Sequence, residues 1–321
     1  MIEVEHLSKT YGDFAAIHDL TFRVERGEIL GFLGPNGAGK TTSMRILTGY
    51  LPATSGTARV AGFDVNEQSM AVRQRIGYLP ETPPLYADMT VATYLHFVAE
   101  IKRVSAGDRA ACVDRVIDRC NLTEKRYSLI RKLSKGFRQR VGIAQALVHD
   151  PPAIVLDEPT VGLDPKQIID VRNLIKSLAG EHTIVLSTHI LPEVSMTCDR
   201  VVIVNRGRMA ATGTPAELTQ QLAGSQQVSL EIGGEQQTIV AAIHRISGIN
   251  LQQLEKLPTD TNVDRWTARV NKTGTDDAWI KDLAAILVKA GLDLYEIQRS
   301  QASLEDIFLQ LTTEETSGRA A

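Results

Sequence analysis

The chain is short of cysteine, of aromatic residues and of any surplus of charge, and it contains no long apolar run. Among its 321 residues there are three cysteines, Cys112, Cys120 and Cys198, and their separations match no metal-ligand spacing. An odd, unpatterned set speaks against a disulfide framework and suits a reducing, cytoplasmic compartment. Cys112 and Cys120 fall on one helical stripe with Val113, Val116 and Ile117, which predicts that both fill core space. No apolar run approaches the ~20 residues that a membrane-spanning helix needs, and Met1-Ile2-Glu3 opens no signal peptide. A formal net charge of -3 argues against a protein built to coat nucleic acid or an acidic membrane surface. An apolar content of 43% is enough for a packed core, and the length predicts one large domain accompanied by a small one.

What is present is concentrated in Glu28 to Gly49, EILGFLGPNGAGKTTSMRILTG. Ile29 to Leu33 predicts a strand apolar on both faces. The next eight residues, Gly34-Pro35-Asn36-Gly37-Ala38-Gly39-Lys40-Thr41, satisfy every fixed position of the phosphate-binding pattern G-x-x-x-x-G-K-[ST]. A helix over Thr42 to Thr48 follows, closed by Gly49. The chemistry explains the residue types. Glycines let the backbone close around a ligand, so that successive N–H groups and the positive helix end face a phosphate. Lys40 supplies a mobile positive charge for the outer phosphates, and the Thr41 hydroxyl suits Mg²⁺. The chain is expected to bind a nucleoside triphosphate.

Along the chain, Ile2 to Val4 and Leu20 to Val24 alternate at period two and predict an antiparallel opening layer. Short strands are predicted at Gly56 to Val60 and from Ile76, followed by a proline-rich, non-helical Thr82 to Tyr86. Residues 87–150 contain helical patterns only, among them Val91 to Arg103 capped by Thr90, and Gly107 to Asn121. They read as a helical insert in an α/β core. Apolar strands at Pro152 to Glu158, Thr183 to Ser187 and Arg200 to Val204, with a helix over Pro165 to Leu178, predict parallel pairing buried on both faces. The runs 203–209 and 210–213 suggest a closing hairpin. Composition turns polar and small over Gln220 to Gln227, a candidate boundary. Beyond it, residues 226–312 follow a βαββαβ order, the ferredoxin-like unit. A last helix is predicted from Ser303 to Leu311 behind a Ser303/Asp306 capping box, and residues 313–321 read as a disordered tail.

Candidate chemistry sits at strand ends. Asp157 ends an apolar strand, where a carboxylate can hold Mg²⁺, and Glu158 one step later can accept a proton from an attacking water. Tyr11 stands ahead of the phosphate loop, as an adenine-stacking ring or an ordinary half-buried strand-end tyrosine. His189 follows Leu186-Ser187-Thr188, as a neutral imidazole reaching a γ-phosphate or a surface histidine. At Leu133-Ser134-Lys135-Gly136-Phe137, Ser134 can cap the helix that follows, and Gly136 keeps its start open for an anion.

At that point the chain resembles the ATP-binding subunits of ABC transporters. The signature of that family, leucine-serine-glycine-glycine-glutamine, matches at Leu133, Ser134 and Gly136 and departs at Lys135 and Phe137. The resemblance covers about residues 1–220. It implies an α/β ABC cassette with a mostly parallel core sheet, an antiparallel N-terminal layer and a helical insert, followed by a small α+β domain. It makes Tyr11 the adenine-stacking aromatic, Gly34 to Thr42 the Walker A loop and Ile154 to Glu158 the Walker B strand with its catalytic glutamate. Gly162-Leu163-Asp164 becomes the D-loop and His189 the switch histidine, which resolves the two open readings. ATP and Mg²⁺ are then the expected cofactors. Two cassettes, identical or related, are expected to pair head to tail, so that Ser134 and Gly136 act on the partner's ATP and Asp164 lies at the seam.

The glutamine of the family's Q-loop is Glu81 here, so Glu81 is expected at Mg²⁺, directly or through water. The resemblance is to export-type subunits with a separate integral permease, placing the chain on the cytoplasmic face of the membrane, with Pro83 to Val98 as the coupling segment. The basic patch of Lys125, Arg126, Arg131, Lys132, Lys135, Arg138 and Arg140 lacks interleaved aromatics for base stacking, so no nucleic-acid partner is expected. The alternative function is an ABC ATPase of translation or DNA repair. Translation factors of this kind carry two cassettes where this chain has one, and the roughly 90 residues between Lys40 and the signature are too few for the long coiled coil of repair ATPases. A P-loop kinase would lack the signature and switch motifs.

Overall fold

The computed structural model describes residues 1–222, 225–258, 264–273, 278–300 and 308. The predicted tail over 313–321 and, Phe308 apart, the helix predicted over Ser303 to Leu311 lie outside them. Two compact units emerge, one over Met1–Pro215 and the other from Ala216. They part ahead of the polar stretch at 220–227.

The first unit opens with the hairpin β1 (Ile2–Tyr11) and β2 (Phe14–Val24), then β3 (Ile29–Leu33) and α1 (Lys40–Leu47). Next come β4 (Ser55–Val60), β5 (Phe63–Asp64), α2 (Ser69–Arg75) and β6 (Ile76–Leu79). Three helices, α3 (Val91–Ile101), α4 (Arg109–Arg119) and α5 (Lys135–Leu147), separate β6 from β7 (Ala153–Asp157). The unit continues through α6 (Pro165–Ser177), β8 (Thr183–Thr188), α7 (Leu191–Thr197), β9 (Arg200–Asn205) and β10 (Arg208–Gly213), and α8 (Pro215–Leu222) crosses the boundary. The expected closing hairpin is therefore β9–β10, turning at Arg206-Gly207, where both residues take positive φ. Helix α1 begins two residues earlier than expected, at Lys40 itself.

Two sheets face each other in this unit. The antiparallel one has the order β2-β1-β4-β5, the other β10-β9-β3-β8-β7-β6. In the second, β3, β6, β7, β8 and β9 pair in parallel, and β10 alone is antiparallel. Every residue of β3 and β7 is buried, as two-sided apolar strands demand. The core between the sheets joins Val4, Leu7, Phe22 and Val60 to Phe32, Met44, Val155 and Val202. The Phe22 and Phe32 rings lie 5.5 Å apart, tilted by 51°. Cys120 is a core residue, its thiol pushed up to about 12 by burial. Cys112 is only half-buried, because its position faces the solvent side of the α4 stripe, and the Arg115 guanidinium donates to its Sγ.

The second unit runs β11 (Ser225–Gly233), α9 (Gln236–Ile243), β12 (Ile249–Leu257), β13 (Arg265–Thr273), α10 (Ala278–Lys289) and β14 (Asp293–Ser300). Its antiparallel sheet has the order β12-β13-β11-β14. Val228, Leu230, Ile232, Ala268 and Val270 alternate onto one face, against Ile239, Ile243, Leu283 and Leu287 of the two helices.

The start of β6 matters to the site because this strand leads to Glu81. Its Ile76 carbonyl accepts from Lys102 Nζ at 3.0 Å and lies 3.2 Å from His149 Nε2, anchoring β6 to the helical segment on both sides. Burial, reinforced by the Lys102 ammonium, pulls His149 from 6.5 to about 3. The folded state therefore keeps this imidazole neutral. As pH falls through 6.5 the unfolded chain takes up a proton that the folded chain refuses, so stability is lost at up to ~1.4 kcal/mol per pH unit. His149→Gln should show a shallower loss of stability than the parent between pH 6.5 and about pH 4 in urea titrations. Equal slopes would remove His149 as the group responsible.

Candidate functional site

Parallel pairing brings four strand ends into one row. Leu33 pairs with Thr188, Asp157 with Ser187, and Leu79 with Leu156, so the loops leaving β3, β8, β7 and β6 emerge side by side. In an open parallel sheet this edge is where ligands bind. A cleft of about 470 Å³ opens there, lined by Tyr11, Phe14, Ala16, Asn36 to Thr42, Glu81, Glu158, Val161 and His189.

The floor is the loop between β3 and α1. Gly39 takes φ 100, and a Cβ on it would lie 2.6 Å from the Ala16 carbonyl oxygen, so only glycine fits. No side chain caps α1, and no acidic residue occupies its first turn, so its N–H groups and positive dipole end face the cleft. Lys40 is buried at 6% exposure. Its Nζ donates to the Gly34 carbonyl at 2.8 Å and the Pro35 carbonyl at 3.3 Å, and lies 3.4 Å from Glu158 Oε1. Gly34 and Pro35 thus serve as the seat of Lys40, beneath the lining.

Glu158 follows β7 with φ 49, a left-handed conformation that costs a side-chain-bearing residue about 1–2 kcal/mol. Its N–H donates to both the carbonyl and the hydroxyl of Ser187, which hold the turn. The result aims a carboxylate that is 7% exposed between the Lys40 ammonium and the His189 imidazole. Opposite Lys40, His189 Nδ1 lies 2.9 Å from Glu158 Oε2. An ionised carboxylate only accepts, so Nδ1 carries the proton. In this structure His189 is thus the hydrogen-bond partner of Glu158.

Asp157 lies deeper, fully buried. Thr41 donates to its Oδ1 at 3.4 Å, Ser187 donates to the same oxygen, and Oδ2 has no partner among the described residues. Burial pushes its carboxyl up; the two hydrogen bonds oppose this, and the charges of Glu158 and Glu81 add to it. An orphaned oxygen beside a hydroxyl and two further carboxylates fits a divalent cation. No set of three or more His, Cys, Asp or Glu side chains forms a metal cage among the described residues. Mg²⁺ needs none, since it takes one or two protein ligands and completes its shell from phosphates and water.

Beyond Gly34, Pro35 and Asp157, which lie beneath the lining, three further expected site residues do not line this cleft. Ser134 caps α5, its hydroxyl accepting from the Phe137 N–H at 3.4 Å, and Asp164 caps α6, accepting from the Gln167 N–H at 2.9 Å. Gly136 is buried, not open. A Cβ there would lie 2.5 Å from the Gln167 side chain, so this glycine admits α6. Of the basic patch, Arg126, Arg131 and Arg140 are paired with Asp114, Asp88 and Asp170.

Sequence reasoning passed over Phe14, Ala16 and Val161. Phe14 had a legible signal: it pairs with Tyr11 across the Gly12-Asp13 turn, so both rings share the hairpin tip. They are 66% and 46% exposed, with only Lys9 Nζ, 5.2 Å from the Tyr11 ring centroid, recorded over either ring among the described residues. Phe14→Ala is expected to weaken nucleotide binding by ~3–10-fold, the loss of one aromatic contact of about 1 kcal/mol, whereas Phe14→Trp retains it. Titration with a fluorescent nucleotide checks this, and unchanged affinity would exclude Phe14 from the site.

The comparisons with known proteins agree with this geometry. The family model described as ABC transporter matches residues 17–161, from β2 to just beyond Glu158. The linearmycin resistance ATP-binding protein LnrL of Bacillus subtilis is 30% identical over 97% of this chain and 98% of its own length. The daunorubicin resistance ATP-binding protein DrrA3 of Streptomyces coeruleorubidus is 32% identical over 97% and 95%. Among solved structures, an ATP-binding subunit of an ABC transporter superposes with a TM-score of 0.64 at 31% identity, covering 70% of this chain and 93% of that one. A dimeric ATP-binding cassette in a post-hydrolysis state, bound to ADP and phosphate, superposes with a TM-score of 0.62 at 24% identity, covering 67% and 98%. The chain belongs to the ATP-binding subunits of ABC transporters, and it binds and hydrolyses ATP.

Proposed function

We propose that this chain powers an export system, pairing with a second cassette on ATP and driving a separate integral permease from the cytoplasmic face of the membrane. The observation that carries the reading is the Lys40–Glu158–His189 line across the nucleotide cleft. It offers a buried cation for the outer phosphates and a held carboxylate to take a proton from water. Bound Mg²⁺, held by Thr41, Asp157 and Glu81, would neutralise charge on the transferred phosphoryl group. Tyr11 and Phe14 would stack the adenine.

Pairing is supported by where Ser134 and Asp164 sit. Both cap helices, are exposed and do not line the cleft, which leaves them for the nucleotide of a facing cassette. Charge-assisted hydrogen bonds of about 1.5–3 kcal/mol each would then exist only with ATP in place, making the dimer a nucleotide switch. A permease partner is supported by a second groove of about 390 Å³, with Tyr50, Met70 and Ile101 exposed by 57% or more and a basic rim from Arg73 and Arg103. Tyr78 of β6 lines this groove, and Glu81 three residues on lines the nucleotide cleft. The end of β6 and the two residues after it thus join the groove to the cleft. No helix among the described residues is long and apolar enough to cross a membrane, so the conduit would belong to the partner. Export is supported by the resistance proteins among the relatives. The second unit would support the dimer or regulate it.

Glu158→Gln should keep ATP binding, lose turnover and trap the dimer in size-exclusion runs with ATP; a near-normal ATPase rate would reject Glu158 as the base. Ser134→Arg should abolish dimerisation and ATPase while leaving ATP affinity of the single chain intact. Weakened binding by the single chain would argue against action across the dimer.

A further inference from the structure

The loop that carries His189 is tied down by a carboxylate that plays no part in the reaction described above. Glu193 lies on α7 at 4% exposure. Its Oε2 accepts from the Thr188 hydroxyl at 2.9 Å, and that hydroxyl accepts from the Ile190 N–H at 3.0 Å. The Thr188 oxygen is therefore engaged as donor and acceptor at once, on the two residues that flank His189. Glu193 Oε1 has no partner among the described residues. Burying a carboxylate with one oxygen unsatisfied is destabilising, so folding alone favours an apolar side chain at this position.

We infer that Glu193 is a positioning residue, setting the backbone on both sides of His189 so that the imidazole meets Glu158. The side chain of His189 is 40% exposed, too open for packing to orient it. Its direction then depends on its backbone and on the single contact with Glu158 Oε2 at 2.9 Å. Thr188, fully buried, supplies the lever, and Glu193 fixes the lever's rotor. Without that acceptor the hydroxyl is free to turn, the turn at Ile190 loosens, and Glu158 loses the group that aims it. Nucleotide binding does not pass through this chain of contacts, because Tyr11 and the loop over Asn36 to Thr42 lie on other elements. The inference rests on the proposed role of His189 in turnover.

The test uses the full-length chain and three readouts: ATPase rate at saturating ATP, affinity for a fluorescent ATP analogue, and thermal midpoint. His189→Ala is the reference for the underlying role. Glu193→Leu should lower kcat about tenfold with nucleotide affinity unchanged and the thermal midpoint unchanged or raised. Glu193→Gln keeps an acceptor for Thr188 and should restore kcat to within about threefold of the parent. Thr188→Val should match Glu193→Leu, and the double variant should be no worse than either, as for two members of one contact chain. A normal rate in Glu193→Leu beside an impaired His189→Ala would overturn the inference alone. A normal rate in His189→Ala would overturn the role beneath it and the inference with it. A joint fall of nucleotide affinity and thermal midpoint in Glu193→Leu would make Glu193 a purely structural residue, and equal loss in Glu193→Gln and Glu193→Leu would exclude the hydrogen bond as the cause.

Discussion

Everything at the site depends on parallel register. Parallel strands all end at the same edge, and the pairing of Leu33 with Thr188 and of Asp157 with Ser187 makes those ends coincide to within a residue. A shift of one position would turn every side chain of the slipped strand to the opposite face. Asp157 would then leave Thr41, and Glu158 would lose the Ser187 carbonyl and hydroxyl that hold its left-handed turn. The register is protected by burial on both faces, since the residues of β3, β7 and β8 have no solvent side to slip toward. The antiparallel layer contributes through Ala16, whose carbonyl fills the space beside Gly39, and through the hairpin tip that brings Tyr11 and Phe14 to the rim.

The parts of this arrangement that were legible in the sequence are those with local causes. An apolar strand, a glycine-rich loop and an unbroken helix announce themselves in consecutive residues, and so do Asp157 and Glu158 at a strand end. The hinge of the argument for His189 was not local. Its partner is 31 residues away in the chain, and only the adjacency of β7 and β8 shows that the ring faces Glu158. Gly136 illustrates the opposite failure. A glycine near a helix start suggested room for an anion, whereas the structure fills that room with Gln167 of α6, a residue 31 positions later that no pattern linked to it. Cys112 failed for a simpler reason: a helical stripe has edges, and its position lies on one.

The helical segment between β6 and β7 packs the buried face of α5 on β6, with Gly142 against Leu79, and adds polar contacts with carbonyls. The Ile76 carbonyl receives Lys102, and His149 approaches it from the other side. The Tyr78 carbonyl receives Gln145 at 2.6 Å. Both acceptors lie on β6, the edge strand of its sheet, whose outward backbone groups would otherwise be unpaired. The segment is thereby fastened to the strand that delivers Glu81. Lys102 at the end of α3 and Gln145 of α5 are thus each one hydrogen bond from the strand that leads to Glu81.

Charge completes the account. Around the cleft floor stand Asp157, Glu158 and Glu81, whose mutual repulsion adds to the burial that pushes the Asp157 carboxyl up. The one buried cation among them is Lys40, already shared with Glu158 and two carbonyls. A bare triphosphate entering this field would meet three carboxylates and one ammonium, an unfavourable balance at low effective dielectric. A divalent cation would change the balance: Asp157 and Glu81 would hold it, and it would offset their charge toward the phosphates. The residues therefore suit a nucleotide that would arrive with a divalent cation better than a bare one. Glu81, which departs from the family's glutamine, lines this cleft, and its charge would repel a metal-free triphosphate where an uncharged amide would not.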